Sequence, residues 1–183
     1  MLVSVNIGLP APLATSKGDV PSGIVKMPVA GRVRVRRLGL DGDGQADLTV
    51  HGGPGKAVYV YSHDHYQLWE QELGRPDLGP GCFGENLTVE GMLETEVRIG
   101  DIYRIGSAVV QVTQPRSPCF KLAAHLGLPD FAKTFLASGR SGFYLRVLEE
   151  GDVGAGDPVE LISSPPAGLN VLEDSRRRVA KGT

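Results

Sequence analysis

The residues with the greatest chemical potential lie in the run QVTQPRSPCFKL at 111–122. Ser117 is a good helix N-cap and Pro118 a good first helical residue, which would place Cys119 in a first turn. Unpaired backbone N–H groups favour an anion there. Arg116 and Lys121 add positive charge on either side. These conditions lower a thiol pKa and make a thiolate that can act as a nucleophile or as a ligand to a soft metal. The competing reading is a buried, inert cysteine, the usual fate of a lone thiol. Cys82 has no cap and no adjacent base, and reads as structural.

Three further polar loops could share a pocket with Cys119. In ADLTVHGGPGK, Gly52, Gly53 and Gly55 permit close approach of backbone to a ligand, while His51 and Lys56 supply a proton carrier and a cation. Gly84-Glu85-Asn86 is a turn with two polar side chains at the mouth of a strand. SGRSGFY sets Arg140 in a glycine-flanked loop suited to an anion. Each alone is equally an ordinary turn. Together they suggest one pocket for a polar or anionic ligand.

Other motifs fail. DGDGQAD starts like a calcium loop but has Ala46 where glycine is needed and Gly52 where glutamate is needed. HGGPGK lacks the outer glycine and the Ser/Thr of a P-loop, having Val50 and Ala57 there. GDVGAGD lacks the third glycine of a dinucleotide fingerprint. His63 and His65 are two apart at a helix start and would diverge, so zinc is not expected. There is no GxSxG elbow.

The elements that must position these loops read as strands. Residues 2–7, 24–29, 32–36 (RVRVR), 57–61 (AVYVY), 85–89, 101–105, 108–113, 142–148 and 158–162 carry strand patterns. Three short helices interrupt them: 62–73 capped by Ser62 and closed by Gly74, one from about 117 to 126 closed by Gly127, and 130–138 capped by Asp130. Closely spaced strands with Gly-Asp turns favour a mainly β, barrel-like fold or a sandwich, with a few short peripheral α-helices. One domain over 1–165 is expected, followed by a linker-like SSPPAG and a frayed helix or tail over 166–183.

Composition narrows the class. The 183 residues carry 19 Lys and Arg against 21 Asp and Glu, a net charge of −2, which argues against a dedicated nucleic-acid binder. The 25 glycines and 13 prolines are spread between short apolar runs rather than gathered into one tract. No run is long enough for a membrane span, and the N-terminus makes a poor signal peptide. Two cysteines are too few for a disulfide scaffold. A soluble, cytoplasmic protein with reduced thiols is expected.

The ordered blocks GDGQADLTVHGGPGKAVYVY, HYQLWEQEL, GCFGENLTVEG, QVTQPRSPCFKLA and GRSGFYLRVLEEGDVGAGDPVELI resemble the MOSC domain family, within it a YiiM-like branch, over roughly residues 1–165. The resemblance implies a β-barrel-like fold and a link to the molybdenum cofactor, molybdopterin. It makes Cys119 the expected molybdenum ligand or persulfide carrier. Arg116 and Lys121 would neutralise the cofactor's anionic groups, and Asp47, Gly52, Gly53, Lys56, Asn86 and Arg140 would line its pocket. Two departures stand out. The C-terminal three-helix module usual in that branch is missing or reduced to VLEDSRRRVAKGT, and Pro54-Gly55 stand where relatives commonly carry an acidic residue before the lysine.

The activity so implied is reduction of N-hydroxylated compounds such as N-hydroxylated purines, with His51 or Glu85 delivering protons. The sequence has no iron–sulfur cysteine set and no nucleotide fingerprint, so a separate electron-donor protein is expected. Two alternatives stay open: a sulfur carrier using a Cys119 persulfide, and a non-enzymatic molybdopterin-binding protein. No pyridoxal phosphate, nucleic acid or membrane partner is expected, and the oligomeric state is open.

Overall fold

The structure is a computed structural model that describes residues 1–16, 18–46 and 52–182. In chain order its strands are β1 (Leu2–Ile7), β2 (Ala11–Thr15), β3 (Gly18–Ser22), β4 (Met27–Pro28), β5 (Arg32–Arg36), β6 (Gly39–Leu40), β7 (Val58–Ser62), β8 (Leu87–Val89), β9 (Ile102–Ile105), β10 (Ala108–Pro115), β11 (Phe143–Glu149), β12 (Gly151–Gly154) and β13 (Val159–Ser163). The helices are α1 (Tyr66–Leu73), α2 (Phe120–Leu126), α3 (Phe131–Ala137) and α4 (Val171–Lys181). None of them is long and apolar enough to cross a membrane.

Eight strands form one sheet in the order β13-β9-β10-β11-β7-β8-β1-β4. Its neighbours are antiparallel except β7 and β8, which run parallel. A parallel pair needs a long crossover. Here it is the segment 63–86, which carries α1 and the glycine-rich turns before β8. Smaller sheets β12-β5-β6 and β2-β3 complete the fold. The expectation of a mainly β protein with short helices holds, but the described strands form no closed barrel. The large sheet has two ends, β13 and β4. Only two backbone bonds, Leu2 N–H to Asp157 O and Gly156 N–H to Leu2 O, tie β1 to the turn before β13.

Alternation along β7 divides the interior in two. Val58 and Val60 face an aliphatic core with Leu87, Val110, Phe143 and Leu145. Tyr59 and Tyr61 face an aromatic core under the helices, with Tyr66, Trp69, Phe83, Phe131 and Phe135. Trp69 of α1 is fully buried against Phe135 of α3, with ring centroids 5.6 Å apart. This core fixes α1 and α3 behind β7 and leaves its other rim free to build a cleft.

Several local expectations need correction. The segment 24–29 gives only the two-residue β4. Ser62 caps a short 3-10 turn, His63–His65, that leads into α1, by accepting from Asp64 N–H. The hairpin β2-β3 and the strand β12 were not expected. The segment after residue 165 carries the helix α4, Val171–Lys181. Asn170 and Glu173 form a reciprocal capping box at the start of α4, and Val171 is fully buried in the aliphatic core. The arginine strand β5 is solvated and ion-paired: Arg32 to Asp157, Arg34 to Asp152, Arg36 to Asp41.

Candidate functional site

The C-terminal end of β10 carries the chain into one wall of a cleft. Arg116, Ser117, Cys119 and Lys121 line it, together with Lys56, Tyr59 and Tyr144 from the sheet side. Gly84 and Asn86 come from the turn before β8, and Ser22, Gly23, Ile24 and Lys26 from the segment after β3. Asp43, Gly44, Gln45 and Ala46 close the remaining side. The space between these walls is about 670 Å³, part of it open to solvent. Close backbone approach shapes it: Gly84 has φ +82°, and a Cβ there would lie 2.8 Å from Ile24 Cγ1.

Cys119 sits two positions earlier in its helix than its sequence suggested. It is itself the N-cap of α2, with extended backbone, and its side chain makes no capping bond, so Ser117 and Pro118 precede the helix. Local positive charge therefore comes from side chains rather than from a first-turn position. Lys121 donates to Pro21 O at 2.9 Å, joining α2 to the β2-β3 hairpin. Arg116 is only 7% exposed. Its Nη1 donates to the Tyr59 hydroxyl at 3.0 Å and to Phe83 O at 2.9 Å, and its guanidinium lies 4.6 Å from the Tyr59 ring centroid. Among the described residues no carboxylate pairs with it, so a buried cation faces the cleft without a counterion.

Asn86 fixes the opposite wall. Its Oδ1 accepts from Tyr59 N–H at 3.1 Å, and its Nδ2 donates to Asp43 Oδ2 at 2.9 Å. Asp43 also accepts from Gly8 N–H at 2.9 Å and pairs with the buried Lys26 ammonium. One carboxylate thus joins the segment after β1, the segment before β4 and the turn into β8.

Not every expected residue reaches the cleft. Glu85 is fully buried on the aromatic side and is not part of the cleft lining. It accepts from the Tyr66 hydroxyl, Gly81 N–H at 2.7 Å, Thr88 Oγ1 at 2.8 Å and Phe83 N–H at 3.2 Å. Burial pushes its pKa above the ordinary carboxylate range. Its four donors make it the organiser of the 81–88 turn rather than a proton donor in the cleft. Arg140 also lies elsewhere, paired with Glu72 at 2.7 Å and stacked 3.9 Å over the Trp69 ring. Gly53 precedes the 3-10 turn Pro54–Lys56, and neither it nor Gly52 lines the cleft. Asp47 and His51 lie outside the described residues. Cys82 is half-buried, with its thiol pKa raised by burial and then by Glu85, as suits a structural cysteine.

Lys26, Asp43, Tyr59 and Tyr144 are cleft residues that sequence reasoning missed. Asp43 stood in the rejected calcium-like run, and both tyrosines stood in strand patterns read only for packing. Among the described residues, no three His, Cys, Asp or Glu side chains gather as a metal site.

A chain with this sheet and this cleft belongs to the MOSC domain family, whose profile matches residues 47–160. Within the family it is a YiiM-like protein. It is 42% identical over 146 residues to Protein YiiM of Escherichia coli, covering 78% of this chain and 65% of that protein. It is 47% identical over 170 residues to the uncharacterized protein YflK of Bacillus subtilis, covering 93% of this chain and 76% of that one. A protein named Reductase from Gibberella moniliformis is 38% identical over 162 residues, but these span 87% of this chain and only 29% of that longer protein. The solved structure of YiiM from Geobacillus stearothermophilus superposes with a TM-score of 0.82 at 37% identity, covering 99% of this chain and 84% of that one.

Proposed function

We propose that this protein is a molybdenum-cofactor oxidoreductase that reduces N-hydroxylated compounds, with Cys119 as the metal ligand. The observation that carries the reading is the placing of the Cys119 thiol in one cleft with Arg116, Lys56, Lys121 and Lys26. The donor set suits the group. A cofactor with anionic phosphate and dithiolene functions needs cations, and the buried Arg116 needs an anion. Arg116, Lys56, Lys121 and Asn86 would hold the cofactor, and Cys119 would bind its metal as thiolate. Bound there, the cofactor supplies a two-electron centre able to accept an oxygen atom.

The residues of the chain do the rest. Arg116 stays charged at any relevant pH and holds negative charge against the Tyr59 and Tyr144 wall. Gly84 and Gly23 leave room for a ligand to approach the backbone. Reduction of R–NH–OH to R–NH2 and water consumes two electrons and two protons. A separate electron-donor protein is the proposed source of the electrons. With Glu85 buried away from the cleft, proton delivery falls to groups on the cleft wall or to His51.

The test is molybdenum and pterin content in protein from a host that makes the cofactor, beside the Cys119→Ser variant, with reduction of an N-hydroxylated purine in both. Near-stoichiometric metal that is lost in the variant, together with its activity, is expected. Unchanged turnover by Cys119→Ser overturns the assignment. Pterin retained without dependence on Cys119 favours a carrier.

A further inference from the structure

One tyrosine of the cleft keeps its hydroxyl proton for a ligand. The chain has five tyrosines, and four of them donate their hydroxyl protons inside the protein. Tyr59 donates to Ser141 O at 2.9 Å, Tyr61 to Arg140 O at 3.0 Å, Tyr66 to Glu85, and Tyr103 to Asp101 at 3.4 Å. The Tyr144 hydroxyl donates to no described residue, and Tyr144 lines the cleft beside Cys119.

Its position is rigid. β11 places Tyr144 opposite Gln114 of β10 and opposite Tyr59 of β7, so its backbone is held from both sides. Its carbonyl accepts from Thr113 Oγ1 at 3.0 Å. Its ring lies 5.5 Å from the Tyr59 ring, and Lys56 Nζ stands 6.0 Å from its centroid. The Arg116 guanidinium, which donates to the Tyr59 hydroxyl, also acts electrostatically on the Tyr144 hydroxyl. An arginine can only donate, so it offers the phenolic proton no acceptor. Burial raises the phenol pKa above its ordinary value against the opposing charge of Arg116, and a phenol already keeps its proton across the neutral range.

We propose that Tyr144 is the hydrogen-bond donor that recognises the oxygen of the substrate's N–OH group, and so separates substrate from the reduced amine. This rests on the reading of the cleft as a reductase site. It assigns Tyr144 a specificity role, with no electron transfer through it. A site built to bond a substrate hydroxyl leaves a polar group unpaired when that hydroxyl is missing, which is the physical origin of the discrimination.

The experiment compares wild type with Tyr144→Phe, which keeps the ring and its packing and removes only the hydroxyl. The probes are 6-hydroxylaminopurine and adenine, the same base with and without the oxygen. Their dissociation constants are measured calorimetrically on protein of matched pterin content, and kcat/KM for the hydroxylated base is measured in parallel. Wild type should prefer the hydroxylated base by about tenfold, and Tyr144→Phe should bring that ratio close to one with an unchanged melting temperature. A ratio that the variant leaves unchanged overturns the role of Tyr144 while the reductase reading stands. Cofactor-loaded wild type that neither binds nor reduces the hydroxylated base overturns both. If Tyr144→Phe melts early, Tyr144→Trp, which keeps a ring and an N–H donor, supplies the second comparison. Retained preference there supports donation, and loss of preference in a stably folded Tyr144→Trp counts against it.

Discussion

Replacing Arg116 with methionine should separate stability from ligand binding. The side chain makes two charge-assisted bonds, to the Tyr59 hydroxyl and Phe83 O, and stacks on Tyr59. Two such bonds contribute about 3–6 kcal/mol gross and the stacked cation about 1–2 kcal/mol. Against this stands the desolvation of a guanidinium that is 7% exposed and lacks a carboxylate partner among the described residues, a penalty of several kcal/mol. Methionine keeps an apolar body of similar length and carries no charge to desolvate. The opposing terms nearly cancel, so the ligand-free protein should change by no more than about 2 kcal/mol, or about 4–8 °C in melting temperature for a chain of this size. Binding has no such compensation. An anionic ligand loses its buried counterion, which costs about 2–5 kcal/mol, or roughly 30-fold to a few thousand-fold in affinity. Thermal melts of ligand-free protein and pterin content after expression with the cofactor pathway measure the two sides. Arg116→Lys, which keeps the charge without the planar fork, should fall between. A variant that unfolds outright, or one that keeps wild-type pterin, refutes the reasoning.

Two further outcomes follow from residues outside the cleft wall. Burial raises the pKa of Glu85 above its unfolded value, so its contribution to stability is complete below about pH 4 and is lost as pH rises through the native pKa. Glu85→Gln cannot titrate, so urea melts at pH 5 and pH 8 should show the variant faring relatively better at pH 8; a difference independent of pH contradicts this. Val171→Ala should cost about 2 kcal/mol, because the side chain is fully buried where α4 meets the aliphatic core, and a chemical melt shows whether the C-terminal helix belongs to the cooperative unit.

The strand content was legible because AVYVY, IYRI and AVVQVTQ carry alternation or continuous β-branched and aromatic runs. The helix stops were legible at Gly74 and Gly127, both left-handed in the structure. The β2-β3 hairpin was not, because Pro12 and Pro21 count against a strand, yet they face each other in a two-stranded sheet that needs no neighbours on its outer edges. The cap of α2 was misplaced by two residues, since Ser117 is the better capping side chain but Cys119 holds the capping position without using its side chain. At the site, charged residues close to the cysteine in sequence were found, whereas Lys26, Asp43 and Tyr144 reach the cleft through tertiary pairing that no local spacing encodes. Glu85 and Asn86 show the limit of motif reading. They are adjacent, yet Asn86 lines the cleft and Glu85 is buried beneath it.

The three bonds to Asp43 also bear on folding kinetics. Gly8, Lys26 and Asn86 lie 35, 17 and 43 residues from it along the chain, so this junction closes long loops and cannot form early from local structure. The cleft then assembles after the local helices. Refolding followed by ligand capture should lag behind recovery of the helical circular dichroism signal, because helix hydrogen bonds close only short loops. A chain that has regained its helices has not yet regained its binding site.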